Sequence, residues 1–402
     1  MFVSYLFTNG YTIINKLKET TNMTTVIKQD IGSNILQIRA QKEELVRAVG
    51  VASGAISSKA TLPILNNILF QTNGPDELIL TGTDLELTIK TKCQARVLLQ
   101  GMVTVPAKKL SEIIRELPAG EVEITVGKNN AVNIRAAKSF FKIMGLEPDD
   151  FPKTPEISTE GSCELSSGIL KQCLELTSFA VSRDEARYAL NGVLMVLGGT
   201  RARFVATDGK RLALIEKTID LPEGVGFEAI IPAKTIFELQ KTISSEDTGQ
   251  VQIVHTQNQL AFQFGDTTFT SRIIEGRFPN YEQVIPKEQK TTAQLNRLDL
   301  LSALKRVSLL TSQDNQSAKI DFIRDRILIS SRSPNVGEAK EEIPVDVSGD
   351  ELAVGFNPIY LMDALKNLDT ESVTFSAADP DKPGLLRADG GYLYVVMPMQ
   401  LS

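Results

Sequence analysis

Hydrophobic and polar positions along this 402-residue chain recur on two scales, within single helices and again at intervals of 126 residues. Pro106, Pro232 and Pro358 stand 126 residues apart, each after a strand-like run and before an amphipathic stretch. Four residues beyond each proline comes an apolar residue (Leu110, Ile236, Met362), and seven beyond comes another (Ile113, Leu239, Leu365). That spacing marks one buried helical face. Proline suits the first turn of such a helix, because its missing N–H would have no intrahelical partner there. A second helix repeats as well. Windows 41–57, 166–182 and 296–312 overlay without a gap, matching Leu45 with Leu170 and Leu300, then Val49 with Leu174 and Leu304. Three copies of a two-helix unit make a repeat architecture.

Between the helices the pattern turns to short runs rich in β-branched and large apolar residues, at 68–71, 78–81, 85–90, 193–196, 203–206, 320–323 and 327–331. Turn formers such as Asn73-Gly74 and Gly198-Gly199 separate them. Further runs follow each proline helix, at 121–126, 251–255 and 372–376. Several strands per helix predict an α+β fold rather than a wound parallel sheet. At roughly 100 to 200 residues per domain the length allows two to four domains. Helical periodicity stops in the proline-rich stretches 148–155 and 278–287. The expected division is an extension at 1–22, a first domain at 23–158, a second at 159–290 and a third at 291–402, with Met23 a candidate start.

Composition acts mainly by exclusion. With 42% hydrophobic and 23% charged residues, and no apolar stretch near the ~20 residues a membrane span needs, the chain reads as a cytoplasmic globular protein. Cys93, Cys163 and Cys173 are odd in number and lack metal-type spacing, which favours buried thiols in a reducing compartment. His255, the only histidine, falls in an alternating strand run that explains it without proton transfer. One His and three scattered Cys build no zinc shell, and Asp149-Asp150 and Glu341-Glu342 read as solvated loop charge, so no metal or cofactor is expected. Ser302-x-x-Lys305 sits inside a repeated helix whose apolar face accounts for it.

The sharpest polar feature is the loop 207–211, Thr-Asp-Gly-Lys-Arg. It admits two readings: a turn offering backbone and cations to an anion, or a strand-to-strand turn with Gly209 at positive φ. Thr83-Asp84 occupies a comparable place in the first repeat, whereas Gly209-Lys210-Arg211 belongs to one copy only. The first reading leaves open an enzyme acting on a phosphorylated or nucleotide substrate, although no P-loop sequence is present.

Five motifs in order carry a resemblance. They are Thr61-Leu62-Pro63-Ile64-Leu65-Asn66-Asn67, Arg187-Tyr188-Ala189-Leu190-Asn191-Gly192, Ala206-Thr207-Asp208-Gly209-Lys210-Arg211-Leu212-Ala213, Glu275-Gly276-Arg277-Phe278-Pro279-Asn280-Tyr281, and Tyr394-Val395-Val396-Met397-Pro398-Met399-Gln400-Leu401. From about Met23 to the C-terminus the chain resembles the bacterial DNA polymerase III β subunit family, the replicative sliding clamps. The resemblance implies three similar domains, helices lining a hole and antiparallel sheets outside, and a head-to-tail homodimeric ring around duplex DNA. It further implies a non-catalytic processivity factor that tethers the replicative polymerase, the clamp loader and repair proteins through short linear motifs.

Residue by residue, the family pattern places partner peptides against Leu190, Thr207, Gly209, Arg211, Leu212, Pro279, Val284, Asn357, Tyr360, Val395, Met397, Pro398 and Met399. Such an apolar, Met-containing pocket suits varied peptides, and Pro398 argues for a chain end or edge rather than a central ladder position. Ring closure would set Phe141 and Ile143 against Leu309 and Leu310. DNA candidates are Lys59, Lys108, Lys109, Arg115, Arg183, Arg187, Tyr188, Lys234 and Lys305. The segments 42–59, 107–117, 166–187, 233–243, 296–306 and 357–366 together hold 15 Lys/Arg and 10 Asp/Glu in a chain of net charge −6. A mildly basic lining would attract phosphates without reading bases, while exposed helix faces favour Lys and Arg in any case.

Overall fold

Six α-helices stand among the described residues: α1 (Lys42–Ser53), α2 (Ala107–Glu116), α3 (Ser167–Ser178), α4 (Ala233–Thr242), α5 (Arg297–Val307) and α6 (Pro358–Asn367). The computed structural model describes residues 34–57, 62–154, 162–221, 226–244, 248–311, 317–333 and 337–401. Lys59, the stretch 1–22 and the boundary near 158 lie outside them. Pro106 and Pro232 end strands and stand at the N-caps of α2 and α4, and Pro358 is the first residue of α6. The predicted stripe is buried at Leu110, Ile236, Met362, Leu239 and Leu365. Ile113 is only half-buried, because Ile114 takes the core position in α2.

The three copies share bonds as well as spacing. The first residue of α1, α3 and α5 donates its N–H to the carbonyl just before the strand that follows the second helix: Lys42 to Gly120 (2.9 Å), Ser167 to Gly249 (3.0 Å) and Arg297 to Glu371 (2.9 Å). A cation then reaches the carbonyls ending each second helix, where the helix dipole favours positive charge. Lys42 Nζ donates to Leu117 O, Lys171 Nζ to Ile243 O at 2.7 Å, and Arg297 Nη1 to Leu365 O at 3.0 Å.

Two compact units result among the described residues, one from 34 to 154 with 266–269, the other from 162 to 265 with 270–401. In the first, a sheet runs in the order Arg96–Leu99, Asn34–Gln41, Glu121–Gly127, Ala131–Ala136, Ser139–Met144. Leu87–Gln94, Glu77–Thr83, Asn67–Asn73 and Met102–Pro106 form a second row. Leu36, Ile38, Leu45, Phe70, Leu80 and Leu110 share its core. α1 approaches Glu77–Thr83 so closely that a Cβ on Gly82 would stand 2.1 Å from the Ala52 carbonyl oxygen.

In the second unit nine strands form one sheet, in the order Gly226–Pro232, Gly192–Gly198, Arg201–Thr207, Arg211–Thr218, Tyr392–Val396, Gly384–Ala388, Ser372–Ala377, Thr291–Asn296, Val347–Gly349. A four-stranded sheet has Gly337–Pro344 at one edge, then Arg326–Ser333, Ala318–Ile323 and Leu352–Phe356. The strand pairs within the sheets just described are antiparallel. The fold is α+β. No helix among the described residues is long and apolar enough to cross a membrane.

Several expected boundaries are corrected. The segment 42–59 leaves the helix after Ser53, where Gly54 caps it and the Ser53 hydroxyl donates back to Val49 O. The segment 166–187 leaves it after Ser178. Thr177 Oγ1 donates to Cys173 O, and Asp184 then starts a separate 3-10 turn, Glu185–Leu190, by accepting from the Ala186 N–H. Arg183 therefore lies in a loop, and Arg187 and Tyr188 in the 3-10 turn. Over the α-helices as they stand, Lys and Arg outnumber Asp and Glu by 12 to 8. Leu309 and Leu310 belong to a 3-10 turn, Ser308–Leu310, rather than to α5. Glu341 and Glu342 are not loop residues but lie in the strand Gly337–Pro344, with Glu341 accepting from Arg306 at 2.8 Å. The run expected at 85–90 starts at Leu87, because Leu85 adopts a φ of 78°.

Candidate functional site

The turn between strands Arg201–Thr207 and Arg211–Thr218 is tied by its own side chains. Thr207 Oγ1 donates to Arg211 O and accepts from the Gly209 N–H, while Asp208 Oδ1 accepts the N–H groups of Lys210 and Arg211 at 2.9 and 3.1 Å. Gly209 has a φ of 86°. The same turn stands in the first repeat, where Thr83 accepts from Leu85 N and Asp84 accepts from Glu86 N and Leu87 N. These backbone donors are consumed internally, so the turn offers no cradle for an anion. The nucleotide reading loses its basis there.

The turn instead walls an apolar cleft of about 140 Å³. Leu212 and Val395, paired across the two neighbouring strands, form its floor and belong to a buried cluster with Leu194, Val205 and Ile230. Leu190, Thr207, Gly209 and Arg211 line one side; Pro279 and Val284 line another; Met397 completes it. The Met397 N–H donates to Lys210 O at 2.9 Å, which sews the tail to the turn. Val284 and Met397 are 46% and 40% exposed, open for contact. Asn280 and Tyr281 also line the cleft and were not among the sequence candidates. Their signal was the motif 275–281 itself, in which both stand.

Four candidates sit outside this cleft. Asn357 is buried and caps α6, accepting from the Ile359 N–H at 2.9 Å. Tyr360 carries the Arg211 guanidinium over its ring at 4.6 Å and lines a larger cavity of about 720 Å³ among α3, α4 and α6, walled by polar and apolar side chains alike. Pro398 and Met399 follow the last strand and border another hollow with Gly355 and Leu401. Pro398 is thus clear of the ladder.

Arg211 joins the cleft to that larger cavity, since it lines both. It donates from Nε to Asp208 Oδ2 (3.0 Å), from Nη1 to Asp363 Oδ2 (2.7 Å) and from Nη2 to Phe179 O (2.7 Å). Burial works against its charge, yet the Asp363 hydrogen bond and the two carboxylates raise its pKa overall. Replacing Arg211 by Ala should destabilise the protein by about 2 kcal/mol, below the ~3–5 of a fully buried pair, because the Asp363 side chain stays 28% exposed to water. A denaturant titration reads this directly.

The DNA candidates are dispersed. Lys108, Lys109 and Arg115 project from α2 and are exposed, with Lys109 paired to Glu112 at 2.8 Å. Arg183, Arg187 and Tyr188 are exposed; Arg187 pairs with Asp184 and donates to Asp208 O. Lys234 on α4 is half-buried and Lys305 on α5 is exposed. Of the interface candidates, Phe141 and Ile143 lie in the outermost strand of their sheet, Ser139–Met144, and Leu309 is 76% exposed. Leu310 is half-buried.

His255 lies in the strand Gln250–His255 and stacks on Phe227 at 4.6 Å, where burial lowers its pKa. The three cysteines are buried, and burial pushes Cys93 and Cys173 up to about 12. No metal-ligand cluster occurs among the described residues.

Three family models match in series: the DNA polymerase III beta subunit N-terminal domain at 36–155, its central domain at 164–280 and its C-terminal domain at 282–400. The chain is 33% identical over 362 residues to the beta sliding clamp of Chlamydia pneumoniae, covering 90% of this chain and 98% of that protein. Against the beta sliding clamp of Pseudomonas putida identity is 34% over 365 residues, with coverage of 90% and 99%. Among solved structures, the DNA polymerase sliding clamp of Bacillus subtilis superposes with a TM-score of 0.87 at 30% identity, covering 91% of this chain and all of that one. The Pseudomonas aeruginosa clamp bound to griselimycin gives 0.85 at 32% identity, with coverage of 91% and 100%.

Proposed function

The chain belongs to the DNA polymerase III β subunit family, the sliding clamps, and on that premise we propose how its residues do the work of a DNA polymerase processivity factor. Two copies close head to tail into a ring around duplex DNA, with Phe141 and Ile143 of one meeting Leu309 and Leu310 of the other. The domain division 23–158, 159–290 and 291–402 is part of this reading. The protein catalyses no reaction itself and acts in the cytoplasm beside the polymerase it tethers.

DNA is held by encirclement, with Lys108, Lys109, Arg115, Arg183, Arg187, Tyr188, Lys234 and Lys305, and Lys59 outside the described residues, meeting phosphates without base selection. Such contacts weaken with salt. Polymerase, clamp loader and repair proteins dock short linear motifs in the cleft floored by Leu212 and Val395. The observation that carries this is the cleft itself, apolar at its floor, polar at its rim and built where the second family domain meets the third. Tethering turns rebinding of a partner into a local event at high effective concentration.

Topology gives the decisive test. The clamp, loaded on nicked circular DNA, should remain bound through gel filtration in high salt and dissociate once a restriction enzyme linearises the circle. Equal retention on circular and linear DNA contradicts encirclement.

A further inference from the structure

The cleft wall that carries Pro279, Tyr281 and Val284 has almost no backbone anchorage. The Ile274 N–H donates to Ile230 O, and the next such tie to another segment is Lys290 N–H to Ala377 O; among the described residues none falls between them. Its short 3-10 turn, Tyr281–Val284, has no side-chain cap. Phe278, Tyr281 and Ile285 rest on the apolar cluster beneath, but apolar contact is non-directional and sets no distance.

One side chain on the sheet supplies the missing direction. Arg203 faces Glu216 across the paired strands Arg201–Thr207 and Arg211–Thr218. Glu216 Oε2 accepts from Arg203 Nε at 2.8 Å and lies 2.7 Å from Nη2, while its other oxygen accepts from Arg201 at 3.1 Å. A guanidinium gripped along one edge is fixed in plane and azimuth. Its remaining nitrogen, Nη1, donates to the Tyr281 hydroxyl at 3.0 Å and to Glu282 Oε1 at 3.2 Å. Arg203 is 29% exposed and is not among the residues lining the cleft. We propose that Arg203 is the positioning residue of the cleft, fixing the Tyr281–Val284 wall against the Leu212–Val395 floor so that the site is formed before a peptide arrives. This rests on the reading of the cleft as the docking site. Pre-formation matters because a wall that must be ordered on binding weakens the complex by the ordering cost.

The test uses a fluorescent peptide carrying the polymerase's clamp-binding segment, titrated into the intact dimer. Tyr281→Phe keeps the ring in the cleft and removes only the hydroxyl, so affinity should fall on the order of fivefold, the worth of one such hydrogen bond. Arg203→Met should cost more, and the double variant no more than Arg203→Met alone, because both substitutions cut one link. Hydrogen exchange should quicken at the amides of 280–285 and nowhere else, with the melting temperature of Tyr281→Phe unchanged, which general destabilisation would not give. Wild-type affinity in both variants overturns the inference while leaving the cleft intact. A wild-type protein that does not bind the peptide overturns the cleft reading and the inference with it.

Discussion

Deleting residues 397–402 should reduce polymerase stimulation to the level seen without clamp, while the truncated protein still sediments as a dimer. The cut falls just past the last strand, Tyr392–Val396, whose ladders on both sides, to Arg211–Thr218 and to Gly384–Ala388, stay complete. The fold therefore keeps its sheet. What disappears is the Met397 side of the cleft, the Met397 N–H bond to Lys210 O, and the Met399 N–H bond to Gly355 O. A partner side chain that had buried its surface against a methionine forfeits roughly 1.5–3 kcal/mol, on the order of ten- to 150-fold in affinity. A flexible contact of this kind is also what lets one cleft accept several partners. Primer-extension length with and without the truncated clamp gives the readout, and sedimentation velocity gives the control. Undiminished stimulation would remove the cleft from partner binding.

The proline-headed repeat could be read from residues because burial imposes a period: one helical face must be apolar, and three copies make the coincidence visible. The Thr-Asp turn was legible for a similar reason, since Thr83-Asp84 duplicates Thr207-Asp208. Its first copy nonetheless holds a surprise. Leu85 takes the left-handed conformation that Gly209 takes without penalty, a cost of roughly 1–2 kcal/mol for an L-residue. The bonds that the Asp84 carboxylate accepts from the Glu86 and Leu87 N–H groups offset it, and no propensity scale sees such local side-chain bonds. Helix ends failed likewise at 166–187, where Asp184 and Thr177 compete for backbone groups. Arg203 escaped notice because its meaning lies in a contact with Tyr281, 78 positions away, and nothing periodic links them. Asn357 shows the converse. A position matched to the family pattern can be occupied for capping, and its bond to the Ile359 N–H says so.

Replacing Phe141 by Asp should leave a folded protein that is monomeric at concentrations where the wild type is a dimer. Among the described residues the strand Ser139–Met144 pairs only with Ala131–Ala136 and is outermost in its sheet. Phe140, Phe141 and Met144 on it are 53%, 38% and 56% exposed. A strand edge carrying that much apolar surface invites association unless it is covered, and a second copy of the chain presenting Leu309, at 76% exposure, is the cover proposed above. Because residue 141 is already exposed in one protomer, the substitution spares the core. Its effect falls on the interface, where losing a central aromatic anchor costs about 2 kcal/mol or more. Burying an unpaired carboxylate adds to this, so the dimer dissociation constant should rise on the order of a hundredfold, measurable by sedimentation equilibrium. Placing Leu309→Lys in the same chain supplies a cation opposite the new carboxylate at both junctions of a head-to-tail pair, and should restore part of the dimer. Recovery with that pair, and none with Leu309→Asp, distinguishes direct apposition of 141 and 309 from a loss felt through the fold. A Phe141→Asp protein that remains dimeric would put the closure elsewhere on the chain.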